Sequence, residues 1–205
     1  MGSRLRAAIY DAVIVGMTAH WYEAVLARLP SRCRLLDIGV GTGSALLSHA
    51  TLIEWKRLRI VGIDIDGAYI ERCRASVQRK NLAHLVEARL ESVYDHRGGP
   101  YDAAYFSGSF MLLPDPTAAL RRVCSLLERG ALIFFTQTFE HRRSPGIERI
   151  KPLLRAISTI DFGRVSYEDE FRGALAGAGV EVEEQAFLHR GRKRSSMLIV
   201  ARAPR

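Results

Sequence analysis

Cys33-Arg34-Leu35-Leu36-Asp37-Ile38-Gly39-Val40-Gly41-Thr42-Gly43 is a compact apolar run that closes on three glycines at alternate positions. Leu35, Leu36 and Ile38 mark Cys33 to Val40 as a buried strand. Alternating glycines let a backbone turn sharply and approach a ligand closely. The helix that follows, expected over Ser44 to Trp55, offers free amides at its start. The spacing is GxGxG, distinct from the GxGxxG of dinucleotide sites, and no Gly-Lys-Ser/Thr follows to cradle a phosphate. Alone, the loop fits both a cofactor turn and a plain strand-to-helix turn.

About twenty residues on, a second apolar run, Arg59 to Ile65, ends in Val61-Gly62-Ile63-Asp64-Ile65-Asp66. A carboxylate at that strand end, beside the glycine loop, is placed to accept both hydroxyls of a ribose. That role falls to Asp64, and Asp66 suits the cap of the next helix, expected over Tyr69 to Arg79. Further strands are expected at Leu85 to Leu90, Tyr101 to Phe106 and Ala131 to Thr138. Helices are expected at Thr117 to Leu127 (with Gly130 as its stop), Ile147 to Ile157 and Glu168 to Ala178. Strands alternating with helices demand a parallel sheet with right-handed crossovers. The closing runs, Val180 to Leu188 and Ser196 to Ala203, are joined by one short turn and must pair antiparallel.

The 205 residues are 48% hydrophobic and 25% charged, which excludes disorder, collagen and coiled coil as the main state. No apolar stretch approaches the roughly 18 residues needed to span a bilayer. Cys33, Cys73 and Cys124 are too few and too scattered for a disulfide framework or a cysteine zinc site, and read as buried hydrophobes in a reducing, cytoplasmic setting. No secretory signal is legible at the start; a short organelle-targeting segment stays open. The net charge of +8 rests mostly on arginine, with only four lysines, Lys56, Lys80, Lys151 and Lys193. Arg142-Arg143 and Arg190 to Arg194 are the two basic clusters. The second falls where a hairpin turn belongs, so it reads as a solvated turn or as a contact for an anionic substrate, RNA or a lipid headgroup.

Leu36 to Gly43 resembles motif I of class I S-adenosylmethionine-dependent methyltransferases. The likeness continues through Val61 to Asp66, Tyr101-Asp102-Ala103-Ala104-Tyr105-Phe106 and Leu126 to Ile133, and the final strand pair resembles the family's closing hairpin. The resemblance implies one α/β domain over 1–205, with a Rossmann-like seven-stranded, mostly parallel sheet whose last strand is antiparallel, and helices on both faces. Residues 1–30 would form a helical lid and 139–179 a helical insert near the acceptor. It further implies S-adenosylmethionine as cofactor, S-adenosylhomocysteine as product and no metal. Gly39, Val40, Gly41, Thr42 and Gly43 would form the loop under the methionine part, and Asp37 would reach the ammonium. Asp64 and Ile65 would flank the ribose, and Leu90, Glu91 and Ser92 the adenine. Ser107 and Gly108, with Ser109, would line the methyl-donor end.

For the acceptor, Tyr10, His20, Tyr22 and His141 are the candidates, with Glu140 beside them; a base helps only if the acceptor arrives protonated. Phe106-Ser107-Gly108-Ser109-Phe110 lacks the Asn/Asp-Pro-Pro-Tyr/Phe of amine methylators, the loop lacks a glutamate pair, and no Asp…Asp-Asn set suggests a metal. What remains is a small-molecule acceptor, quinone-like or lipid-like, with membrane-surface contact possible. Phe110 to Leu113 fits an apolar pocket or packed core. Two alternatives stand beside it: methylation of RNA or a protein side chain, and a non-catalytic cofactor- or partner-binding module.

Overall fold

The computed structural model of the protein describes residues 16–141 and 166–204. Seven strands form one sheet in the order β3-β2-β1-β4-β5-β7-β6. They are β1 (Arg34–Ile38), β2 (Arg59–Asp64), β3 (Val86–Leu90), β4 (Tyr101–Ser107), β5 (Leu127–Glu140), β6 (Glu181–Arg190) and β7 (Arg194–Arg202). β1 to β5 pair in parallel, and β7 runs antiparallel to both β5 and β6, as the short turn requires.

Residues 16–26 are helical and are called α1; then come α2 (Ser44–Leu47), α3 (Ala50–Lys56), α4 (Gly67–Arg79), α5 (Pro116–Cys124) and α6 (Glu168–Gly177). Side chains alternate across each strand, so the sheet feeds two cores. Leu35, Ala103, Tyr105 and Phe134 meet Tyr22, Leu26, Leu47, Ile53 and Cys73 of α1 to α4 on one face. Leu36, Ala104, Phe106 and Phe135 meet Leu120 and Val123 of α5 and Phe171 of α6 on the other.

Two elements differ from the sequence reading. The helix expected over Ser44 to Trp55 breaks at Ser48-His49. There His49 leaves helical geometry (φ −102°, ψ 31°) and its ring Nε2 lies 2.8 Å from the Ala19 carbonyl oxygen of α1. Gly130 does not stop α5. Ser125 caps that helix, its hydroxyl donating to the Arg122 carbonyl. Gly130, at φ 70°, serves a bulge in β5, where pairing shifts between Tyr101–Leu127 and Ala103–Leu132. Cys33 and Cys73 are buried and Cys124 half-buried, all three as free thiols. The helix expected over Ile147 to Ile157 lies outside the described residues.

One device was absent from the sequence reading. Lys56, buried at the end of α3, donates from Nζ to the carbonyls of Leu26, Ala27 and Leu29 at 2.9, 2.7 and 2.6 Å. It closes the C-terminal end of α1, whose carbonyls have no partners within the helix.

Candidate functional site

In the sheet order, the chain leaves β1 toward β2 and β3 on one side, and β4 lies on the other. That reversal opens a crevice at the carboxyl ends of β1 and β4, and the glycine loop sits there. Gly39, Gly41 and Gly43 all hold left-handed φ values, 80°, 58° and 68°. Each neighbourhood differs. A Cβ on Gly39 would come within 2.5 Å of Ser109 Cβ, and one on Gly43 within 2.5 Å of Cys73 Sγ. Among the described residues, a Cβ on Gly41 would meet nothing within 4 Å. The loop is wedged at both ends and open at its middle.

Asp64 fixes that middle. Its Oδ2 accepts from the Gly41 N–H at 2.9 Å and its Oδ1 from the Asp66 N–H at 3.0 Å. A carboxylate has about four acceptor sites, so two remain for a ligand. Asp66 caps α4, accepting from the Tyr69 N–H at 3.1 Å, as the sequence suggests. Val40 packs so closely over β2 that a Cβ on Gly62 would meet it at 2.9 Å. Thr42 Oγ1 lies 2.9 Å from Ser44 Oγ at the start of α2.

Asp37 is fully buried. Its Oδ2 accepts from the Tyr22 hydroxyl at 2.8 Å, and among the described residues its Oδ1 has no partner. Burial pushes its carboxyl up to about 7, against the lowering effect of the Tyr22 bond, and the Asp64 charge raises it further. Burial, and then the Asp37 charge, hold the Tyr22 phenol well above its ordinary range. Tyr22 meets Tyr105 edge-on at 5.0 Å, and Tyr105 shares a hydroxyl contact of 2.8 Å with Thr136. Ser107 Oγ, at the end of β4, is buried near Tyr105 but outside hydrogen-bond geometry, leaving it a second unmatched polar atom in this corner. Gly108 (φ 67°) lies against the ring of Trp21.

Toward β3, Ile65 and Leu90 are 78% and 53% exposed, an uncommon state for large apolar side chains at adjacent strand ends. Glu91 follows, its N–H donating to the Asp64 carbonyl at 3.0 Å. One Glu91 oxygen is taken by Nδ1 of His96, which is fully buried and has its Nε2 2.8 Å from the Tyr101 hydroxyl. Oε1 is the oxygen left over. Ser92 Oγ accepts from the Tyr94 N–H at 3.3 Å.

The loop residues, Asp37, Asp64, Glu91, Ser107 and Gly108 are therefore brought to one end of the sheet. The acceptor candidates are not brought together. Tyr22 spends its hydroxyl on Asp37. His20 lies on the exposed side of α1, 3.7 Å from Glu23. His141 stands beyond β5, its Nε2 2.9 Å from Ser195 Oγ. Tyr10 lies outside the described residues. Phe110 and Met111 are buried, Phe110 among Phe106, Phe135 and Phe171, so they pack in the core. The Tyr22–Asp37 bond and the His96 backing of Glu91 were missed; each pairs residues that no local motif links. Gln137 donates to Ser166 at 2.9 Å and, among the described residues, keeps a buried, unpartnered Oε1 toward the carboxyl end of β5.

A family model described as a methyltransferase domain matches residues 16–185. A ubiquinone biosynthesis O-methyltransferase of Xanthomonas axonopodis pv. citri is 31% identical over 118 residues, 56% of this chain and 47% of that protein. A malonyl-[acyl-carrier protein] O-methyltransferase of Magnetococcus marinus is 28% identical over 149 residues, 69% of this chain and 49% of its own. The chain thus spans about half the length of these two relatives. Among solved structures, the [4+2]-cyclase SpnF superposes with a TM-score of 0.74 at 16% identity, covering 91% of this chain and 81% of that one. Geranyl diphosphate methyltransferase in complex with SAM gives 0.72 at 13% identity, covering 90% and 85%. At such identities, the structural likeness speaks for the fold.

Proposed function

Because the chain belongs to the methyltransferase-domain family, we propose that it transfers the methyl group of S-adenosylmethionine to a small-molecule acceptor. The observation that carries this reading is the glycine loop, open only at Gly41, with Asp64 holding its middle and the unmatched Asp37 Oδ1 behind it. A buried acceptor without a donor is costly to leave unpaired, and the cofactor's ammonium is a donor of the right charge. The open face of the loop is where backbone and ligand approach without a Cβ between them.

When bound, the cofactor supplies a methyl group already activated on a positively charged sulfur. The residues then have four tasks. Asp37 accepts from the ammonium and Asp64 offers its two remaining acceptor sites to the ribose hydroxyls. Ile65 and Leu90 give apolar walls to the adenine, with Glu91 Oε1 for its exocyclic amine. Gly39, Val40, Thr42 and Gly43 set the loop under the methionine part; Ser92 closes the turn after β3. Ser107 and Gly108 flank the donor end. Holding nucleophile, carbon and sulfur in line supplies most of the rate. A quinone-like or lipid-like acceptor is the finer reading, supported by the ubiquinone relative. The region 139–179 and the segment 1–30 are proposed to enclose it, within one domain. His20 and His141 remain candidates only if the acceptor reaches the rim, and Tyr10 only by its place in the sequence.

Calorimetric titration with S-adenosylhomocysteine tests the cofactor half. Asp64→Ala should weaken binding by about 2 kcal/mol, some thirtyfold, in a folded variant. Unchanged affinity would remove Asp64 from the site. Labelled methyl transfer to quinol, lipid, RNA and protein fractions tests the acceptor half; binding with no transfer to any would favour the non-catalytic reading.

A further inference from the structure

Parallel pairing places the starts of β1, β2 and β3 together on the edge opposite the glycine loop. The three entry turns are laced there. The N–H groups of Arg32, Arg59 and Ile60 donate to the carbonyls of Lys56, Cys33 and Leu85 at 2.7, 2.9 and 2.8 Å. Between the turns lies a groove of about 570 Å³ lined by Arg32, Glu54, Arg57, Arg59, His84 and Leu85. That volume falls in the range of small-molecule sites. At about 3.3 Å per residue, the five steps from Arg34 to Gly39 set the start of β1 some 17 Å from the glycine loop.

The charges in this groove are unspent. Arg28, Arg89, Arg172 and Arg202 each reach a glutamate. By contrast, among the described residues, the side chains of Arg32, Arg57 and Arg59 make no hydrogen bond or ion pair, and none of their guanidinium nitrogens lies within 4 Å of the Glu54 carboxylate. Two of the three also sit on unfavourable backbone: Arg32 has φ 65° and Arg57, the C-cap of α3, has φ 52°. Glycine or asparagine takes that conformation at less cost. Three arginines and His84, from three separate turns, thus converge at a strained edge that packing alone does not call for.

We propose that this groove binds a phosphate-bearing small molecule through the guanidinium forks of Arg32, Arg57 and Arg59. A planar fork matches phosphate oxygens with two parallel donors, and His84 adds a ring donor. Glu54 suits a hydroxyl or amine on the same ligand and interrupts the positive track that a nucleic-acid backbone would follow. The site is separate from the methyl-transfer reading and stands whether or not that reading holds.

The test uses the full chain and inorganic pyrophosphate. Titration calorimetry should detect binding at millimolar concentration or below, and pyrophosphate should raise the melting temperature in a dose-dependent way. The double variant Arg32→Asn, Arg57→Asn keeps residues that accept a left-handed backbone. It should melt no lower than the parent, weaken pyrophosphate binding at least about tenfold and leave S-adenosylhomocysteine affinity unchanged. Arg59→Gln, on an ordinary strand, gives a second reading should the double variant fold poorly. No pyrophosphate binding by the parent, or equal binding by both variants, overturns the proposal. So does a single-stranded RNA oligomer that displaces pyrophosphate with the steep salt dependence of phosphate-backbone contacts.

Discussion

Asp37 sits where water does not reach, and its carboxyl, pushed up to about 7 by burial, gives stability and binding opposite demands. In the unfolded chain it titrates near 3.8. Between about pH 4 and 7 the native state therefore holds a proton that the unfolded state has released. Stability falls as pH rises through that window and is level above it. Asp37→Asn should raise the melting temperature of the ligand-free protein at pH 8, by a stabilisation on the order of 1–3 kcal/mol, and change it little at pH 4. The same variant should bind S-adenosylhomocysteine more weakly at pH 8. Thermal melts and titrations on one preparation read both signs; a variant that gains nothing at pH 8 would mean Asp37 carries no such burden. Tyr22→Phe removes the one bond that lowers the Asp37 carboxyl, so the pH below which cofactor binding weakens should move upward. Asp37 and Asp64 were legible in sequence because each stands at a fixed place beside a glycine motif. Tyr22 was legible as an acceptor-site candidate, not as the donor to a buried aspartate. The bond that engages its hydroxyl crosses between elements.

At the scale of elements, the glycine loop separates two costs that a sequence motif runs together. Gly39→Ala drives a methyl into Ser109 at 2.5 Å on a left-handed backbone, so it should lower stability by roughly 2–4 kcal/mol in denaturant melts. Gly41→Ala meets nothing within 4 Å and should cost only about 1 kcal/mol of stability, from its φ of 58°. Its methyl would instead stand on the open face, so S-adenosylhomocysteine binding should fall while the fold holds. Equal losses of stability in the two variants would contradict this division. Strands and their order of appearance were legible because short apolar runs bounded by glycine and charge admit few alternatives. The break at Ser48-His49 was not, because the contact that fixes His49 lies on α1, thirty residues away. Gly130 was read as a helix stop because glycine after a helical stretch usually is one. Here the chain re-enters the sheet at Leu127 first, and the glycine serves the bulge.

For the molecule as a whole, the question is what the net charge of +8 does. The turn between β6 and β7 carries part of it, and Arg190 lies 3.9 Å over the Phe187 ring, capping an exposed aromatic on an edge strand. Neutralising Arg192, Lys193 and Arg194 should leave turnover on a small acceptor within about threefold, under about 0.7 kcal/mol. A larger loss, greatest at low salt and shrinking as salt rises, would move the acceptor toward RNA. Overall topology was readable from the strand–helix alternation and the short final turn, whereas the groove of arginines was not. Its members come from three separate turns that only parallel pairing brings side by side. Lys56 has a consequence of another kind. It joins the end of α3 to the end of α1, while Tyr22 of α1 holds Asp37 of β1. The first helix cannot lift away without stripping donors from three carbonyls and from a buried carboxylate together. Its amides should thus exchange with solvent deuterium in step with those of α3, as one cooperative unit, and Lys56→Met should let α1 exchange early on its own.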